Sequence, residues 1–247
     1  MLLFYVLIST VIISLISLVG VFTLSLKPKF LDKFIMSLVS LSAGTMMGAV
    51  FLHLLPESHR HLEESQLYPT ILLSFLFFFL IEKLLHWQHC HKHDCKIHSF
   101  GYMNLIGDGL HNFIDGMVIA GAYAADIRLG LITTLAVIVH ELPQEIGDFG
   151  VLLHAGFSKR KALLFNLLSA VTAILGALVG VVLLEQSHQL KDYLLPFAAG
   201  GFLYIAASDL LPEMRKEPVG MKLLSSMLMF ALGIFLMLAF TWLPLGH

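Results

Sequence analysis

Charge is the scarcest property of this sequence. Only 13% of its 247 residues are Asp, Glu, Lys or Arg, about half the ~25% usual in soluble domains. With 57% hydrophobic residues and a mean hydropathy of +0.85, that scarcity excludes a soluble enzyme with a separate catalytic domain. A basic excess is missing too. The 15 Lys and Arg are balanced by 17 Asp and Glu, so no basic surface exists to meet phosphates, and nucleic acid is not an expected partner. The two cysteines, Cys90 and Cys95, sit in one loop and imply no disulfide framework. Residues 1–26 lack the basic start of a signal peptide and run too long for one, so they read as a membrane helix. Strand-like alternation is absent, which excludes a membrane barrel.

What remains is a series of long apolar runs. They lie at 1–26, 34–55, 67–85, 99–125, 129–154, 162–184, 193–211 and 221–244. Each is near the ~20 residues that cross a bilayer as a helix, so the expected fold is an all-α integral membrane protein of eight spans. Twelve of the fifteen Lys and Arg fall in loops and flanks on one side of that topology; Arg60, Arg128 and Lys191 fall on the other. The basic side marks the cytoplasm, so both termini are expected outside it, with no sizeable soluble domain. The compact loops suggest a bacterial inner membrane.

Two segments resemble each other. Residues 43–57, AGTMMGAVFLHLLPE, and 199–213, AGGFLYIAASDLLPE, share six of fifteen positions, and His53 aligns with Asp209. The second and seventh runs cross in opposite directions, which is the pattern of an inverted repeat used for alternating access.

The fourth and fifth runs carry polar groups that lipid does not tolerate cheaply. They read GDGLHNFIDG at 107–116 and HELPQEIGDFG at 140–150. Asp108, Asp115, Glu141, Glu145 and Asp148 would together cost on the order of 12–17 kcal/mol if ionised, unpaired and additive. A bound cation offsets that cost. His111 and Asp115 are four apart and share a helix face, with Asp108 one turn earlier; His140 and Gln144, and Glu141 and Glu145, are likewise four apart. Imidazole and carboxylate donors from two facing helices suit Zn²⁺, and also Fe²⁺, Mn²⁺ or Cd²⁺. Asp115 and Gln144 are placed where they could bridge two metals. Pro143 is expected to kink the fifth run and free a backbone oxygen at Val139.

These motifs resemble those of the ZIP (Zrt/Irt-like) family of divalent-metal transporters. The family's HNxxDG signature is matched by His111-Asn112-Phe113-Ile114-Asp115-Gly116. The signature of its subgroup with HExPHE followed by GDF is matched by His140-Glu141-Leu142-Pro143-Gln144-Glu145 and Gly147-Asp148-Phe149. Asp108 and FLHLLPES at 51–58 fit the same subgroup. The resemblance implies one ZIP-type transmembrane domain over 1–247, a 3+2+3 helix arrangement with inverted repeats, a homodimer, and transport toward the cytoplasm. It implies a primary site of His111, Asp115, His140 and Gln144, and a second site of Asn112, Asp115, Glu141 and Gln144. Gln144 stands where the subgroup has His and other members have Glu. A neutral amide is a poorer ligand, so the second site is expected to be weak or absent.

Further residues extend the route. Asp108, Asp148 and Asp209 are expected on the cytoplasmic side as steps for release, with Glu145 on the same pathway. His53 is expected at the outer mouth as a capture point, near Glu57, His59 and His61. The loop at 86–98 holds His86, His89, Cys90, His91, His93, Cys95 and His98, a tract that binds borderline metals. It faces the cytosol in this topology, where its thiols stay reduced. Deleting it is expected to alter regulation and leave basal transport.

Three rival functions use the same residues. His140-Glu141 begins like the HExxH helix of zinc hydrolases, but Gln144 occupies the place of the second His. Haem ligation by His111 and His140 conflicts with the carboxylates around both rings, and no organic cofactor is expected. A metal-responsive sensor or regulated pore would carry the same ligands; flux separates it from a transporter.

Overall fold

The computed structural model describes residues 1–23, 28–87, 97–186 and 188–242; side chains are not described at 22–33, 85–100, 103, 154, 187–191 and 243–247. Among the described residues all regular structure is helical. Eight helices follow in order: α1 (Leu2–Val19), α2 (Phe34–Ser58), α3 (Glu64–Trp87), α4 (Ile97–Ala125), α5 (Ile127–His154), α6 (Lys159–Gln186), α7 (Asp192–Arg215) and α8 (Met221–Trp242). All but α4 contain a stretch long and apolar enough to cross a membrane by length and composition. α4, at 29 residues, spans ~43 Å at 1.5 Å per residue and is set apart by its polar residues. The protein is an integral, multi-pass membrane protein.

Burial orders these helices from rim to centre. The spanning windows of α3 and α8 are each 17% buried, whereas that of α5 is 67% buried. The rim helices turn Leu72, Leu73 and Leu76 of α3 and Met227, Leu228 and Phe235 of α8 outward, as lipid-facing residues should. The centre belongs to α2, α4, α5 and α7, and the polar residues of α4 and α5 are therefore enclosed by protein.

Lipid supplies little hydrophobic force between helices, so close packing of small residues does much of the joining. A Cβ on Gly116 of α4 would stand 1.9 Å from the Ala173 carbonyl oxygen of α6, and one on Gly176 of α6 would stand 1.8 Å from the Phe113 carbonyl oxygen of α4. No other residue fits either position. Gly44 of α2 and Gly233 of α8 form the equivalent crossing, facing the carbonyls of Phe230 and Leu41. Hydroxyls add interhelical bonds: Thr172 Oγ1 donates to the Gly109 carbonyl at 2.5 Å and Ser14 Oγ to the Ala170 carbonyl at 2.9 Å.

The two similar segments share more than sequence. α2 widens into a π-turn at Val50–Leu54, and α7 does so at Ala206–Leu210. These are the same five aligned positions of the two segments, each followed by Leu-Pro-Glu. Gly44 packs on α8 and its counterpart Gly200 packs on α3, against the Ile71 carbonyl.

Two local features concern helix continuity. α5 continues as helix through Pro143. α6 contains a turn at Val171 between Lys159–Ala170 and Thr172–Gln186, and the Ala170 carbonyl beside it is taken by Ser14.

Candidate metal centre

α4 and α5 are joined at Asp126, whose side chain caps α5 by accepting from the backbone N–H of Arg128 at 2.8 Å and of Leu129 at 3.2 Å. The two helices run antiparallel from that cap. Their polar residues meet about halfway along.

Four ligand atoms converge there. His111 Nε2 lies 3.2 Å from His140 Nε2, 3.6 Å from Asp115 Oδ2 and 3.3 Å from Glu141 Oε1. His140 Nε2 lies 3.0 Å from Asp115 Oδ2 and 3.3 Å from Glu141 Oε1. A tetrahedral ion with bonds of ~2.0–2.1 Å holds its ligand atoms ~3.3 Å apart. These five separations bracket that value. Asp115, His140 and Glu141 are buried, and His111 is partly so.

His140 is oriented for this role. Its Nδ1 lies 3.1 Å from the Ala136 carbonyl, an atom that can only accept, so Nδ1 carries the proton of the neutral ring. The Nε2 lone pair then faces the cluster, an arrangement common for metal-ligating histidines. Phe202 of α7 packs edgewise on the other side of the ring, with centroids 5.8 Å apart.

Glu141 stands with the two histidines and Asp115, and Gln144 does not. The Gln144 amide donates to Asp108 Oδ1 at 3.2 Å, one turn toward the α4 start. Asn112 also turns that way and donates to Asp108 Oδ1 at 2.9 Å. The reason is chemical complementarity: amide N–H groups turn to the carboxylate with no imidazole beside it. A second cluster results, in which one oxygen each of Asp108, Glu141 and Glu145 lie within 4.8 Å of one another.

Two residues of α6 complete these surroundings and are not evident in the sequence reading. Ser169 Oγ donates to Asp108 Oδ2 at 2.5 Å, and Asn166 Nδ2 donates to Glu145 Oε2 at 2.5 Å. Their signal is a polar stripe, Asn166-Ser169-Thr172, inside an apolar run. Further along, Asn104 donates to Asp148 Oδ1 at 2.9 Å. Several buried acceptors here have no hydrogen-bond donor: both oxygens of Glu141, Glu145 Oε1, Asp148 Oδ2 and Asn112 Oδ1. Buried oxygens in that condition are costly, and every one is an atom that a cation or proton satisfies.

The other residues singled out in the sequence are dispersed. His53 lies in the α2 π-turn, where its Nε2 donates to the Met237 carbonyl of α8 at 2.9 Å. It lines a cavity of about 370 Å³ near the Asp126 cap, together with Glu57, Arg60, Asp126, Arg128 and Thr241. Glu57 is engaged by Arg60 at 2.9 Å and by His61 at 3.3 Å, and His59 is exposed. Asp209 is exposed on the α7 π-turn. His89, Cys90, His91, His93 and Cys95, and the side chains of His86 and His98, lie outside the described residues.

Known proteins share these features. The family model described as ZIP zinc transporter matches residues 1–99 and 86–241. Zinc transporter ZIP13 of Pongo abelii is 33% identical over 221 residues, covering 83% of this chain and 66% of its own length. Zinc transporter ZIP10 of Danio rerio is 46% identical over 121 residues, covering 49% of this chain and 14% of its own. Zinc transporter ZIP4 of Homo sapiens is 49% identical over 115 residues, covering 47% and 18%. The matches thus take in 66% or less of the length of these three relatives. By the extent of the model match and the residues it includes, the chain belongs to the ZIP zinc transporter family.

Proposed function

We propose that this chain carries a divalent metal ion, Zn²⁺ first, across its membrane toward the cytoplasm. The observation that carries the reading is the tetrahedral spacing of His111, Asp115, His140 and Glu141. Two imidazoles with two carboxylates give a neutral site for a divalent ion. The donor set favours Zn²⁺ and admits Fe²⁺, Mn²⁺ or Cd²⁺ as competitors.

The route follows the polar residues. His53 and its cavity receive the ion at the outer end, the cluster binds it at mid-membrane, and Asp108, Glu145 and Asp148 lead it inward. Asp209 stands at the inner face of the second repeat. The matched π-turns of α2 and α7 and the paired packing of Gly44 and Gly200 support two inverted units, with α4 and α5 between them in a 3+2+3 arrangement. Rocking of the units about α4 and α5 gives alternating access. Acidification opposes binding, because the imidazoles must be neutral and the carboxylates ionised to hold metal.

Uptake of radioactive zinc into proteoliposomes tests this reading. Wild type should give saturable uptake, and a His111→Ala/His140→Ala double variant none. Stoichiometric zinc binding without flux in the wild type would favour the sensor or regulated pore instead.

A further inference from the structure

We propose that Phe202 of α7 is a positioning residue for the metal. It holds the His140 ring in its binding orientation, and so ties the affinity of the cluster to the place of α7. The inference deepens the reading of the preceding section and rests on it.

The two imidazoles of the cluster stand in different surroundings. His140 Nδ1 meets the Ala136 carbonyl at 3.1 Å. The Phe202 ring stands at 70° to the imidazole with centroids 5.8 Å apart, and the His111 ring at 81° with centroids 5.3 Å apart. Rings favour such tilted contacts at these separations. The His140 side chain is only 1% exposed. His111 has less to hold it. Among the described residues no group bonds its Nδ1, and no ring but His140 packs on it; its side chain is 15% exposed. A ring anchored at Nδ1 and packed between two others has few orientations left to lose when an ion binds. A ring held through Nε2 alone must be ordered by the ion itself.

Phe202 belongs to a buried apolar stripe of α7, with Ala198, Ala199, Ile205 and Ala206. None of these side chains ligates a metal, so α7 acts on the cluster through shape. The aligned position in α2 is Met46, which is also fully buried. Met46 and Phe202 share one core with Ile114 and Val118 of α4 and Val137 of α5. A thioether chain is flexible and carries no ring. The second repeat therefore supplies a rigid ring at a position where the first does not.

The consequence is mechanical. With Phe202 packed, His140 Nε2 stands 3.0 Å from Asp115 Oδ2 and 3.3 Å from Glu141 Oε1, near the spacing a tetrahedral ion needs. Rocking of the repeats moves α7 past α5 and takes the ring from His140. The imidazole then gains rotational freedom, and the site weakens as it opens.

Co²⁺ is the probe, because its visible spectrum reports four-coordination. The full chain in nanodiscs is titrated with Co²⁺ as wild type, Phe202→Leu, His111→Ala, His140→Ala, and Phe202→Leu combined with each His variant. Wild type should give a four-coordinate spectrum. Phe202→Leu should weaken binding about 10-fold, the low end of losses for groups that orient a metal ligand. The same loss should recur with His111→Ala and vanish with His140→Ala, where the ring it acts through is gone. Phe202→Tyr keeps a ring and should bind as wild type does. Phe202→Met replaces the leucine variant if that one does not fold, with the same expected pattern. An equal loss in both His backgrounds, a loss confined to the His140→Ala background, or no loss in any, overturns the positioning role while the site stands. A wild type without a four-coordinate spectrum contradicts the site itself and overturns this inference with it.

Discussion

The two halves of the α4–α5 pair, divided at the His111–His140 level, are built from opposite materials. From the cluster to the Asp126 cap the pair is tightly buried and, apart from the hydroxyls of Thr133 and Thr134, apolar: Ile119, Ala122, Ala136 and Val137 are 0% exposed and Ile132 is 1%. From the cluster to the other end it carries Asp108, Asn112, Asn104, Gln144, Glu145 and Asp148. His140 to Asp148 is eight residues, about 12 Å of helix. The carboxylate and amide oxygens of this pair that lack a donor, on Asn112, Glu141, Glu145 and Asp148, lie at the cluster or in this second half; the first half holds one such atom, the Thr133 hydroxyl oxygen. One half is a seal and the other a ladder. The lesson is that one pair of helices can be close-packed on one side of a cluster and polar on the other. Between the cluster and the cap neither helix carries an Asp or Glu, so the carboxylates lie on one side of the cluster only.

The contrast can be broken most severely at the cluster itself. Asp115 Oδ2 approaches both imidazoles, so Asp115→Ala should lower zinc affinity by more than ~100-fold, beyond the 10–100-fold typical of outer-shell losses; calorimetric titration checks it. The seal can be broken next. Val137→Asp places a carboxylate in the buried apolar half at a cost of roughly 2.5–3.5 kcal/mol. It should lower the thermal midpoint sharply without removing any ligand, which melting of the purified protein would show.

The ladder is tested more gently. Asp108→Ala should reduce the maximal uptake rate about tenfold while moving KM less, on the scale of losses seen for groups that support metal ligands; uptake kinetics separate the two constants. Unchanged uptake would remove Asp108 from the route. The smallest effect belongs to the ladder's scaffold. Thr172→Ala deletes its bond to the Gly109 carbonyl and should cost about 1 kcal/mol of stability, as a neutral hydrogen bond does, with zinc affinity retained in the same calorimetric assay.

Much of this was legible in the sequence, for a physical reason in each case. Long apolar runs marked the helices because lipid permits little else. The LLPE echo marked the repeated segments, and the structure adds a π-turn at matched positions in both. Motif spacing pointed to His111, Asp115 and His140. It did not assign Glu141 and Gln144 to their clusters. Helical periodicity puts Gln144 on the face of His140, but side chains at a two-helix contact reach sideways, and the amide turned to Asp108 while Glu141 joined the imidazoles. Asn166 and Ser169 were missed because single polar residues in a span ordinarily signal helix packing. Only the third dimension shows that their partners are Glu145 and Asp108.

The most direct test of the four-residue cluster is X-ray absorption at the zinc edge of the loaded protein, wild type beside Gln144→Ala. The account predicts a four-coordinate shell of nitrogen and oxygen at ~2.0–2.1 Å with two imidazoles, the same in both proteins. A single imidazole, or a shell that changes when Gln144 is removed, would contradict it.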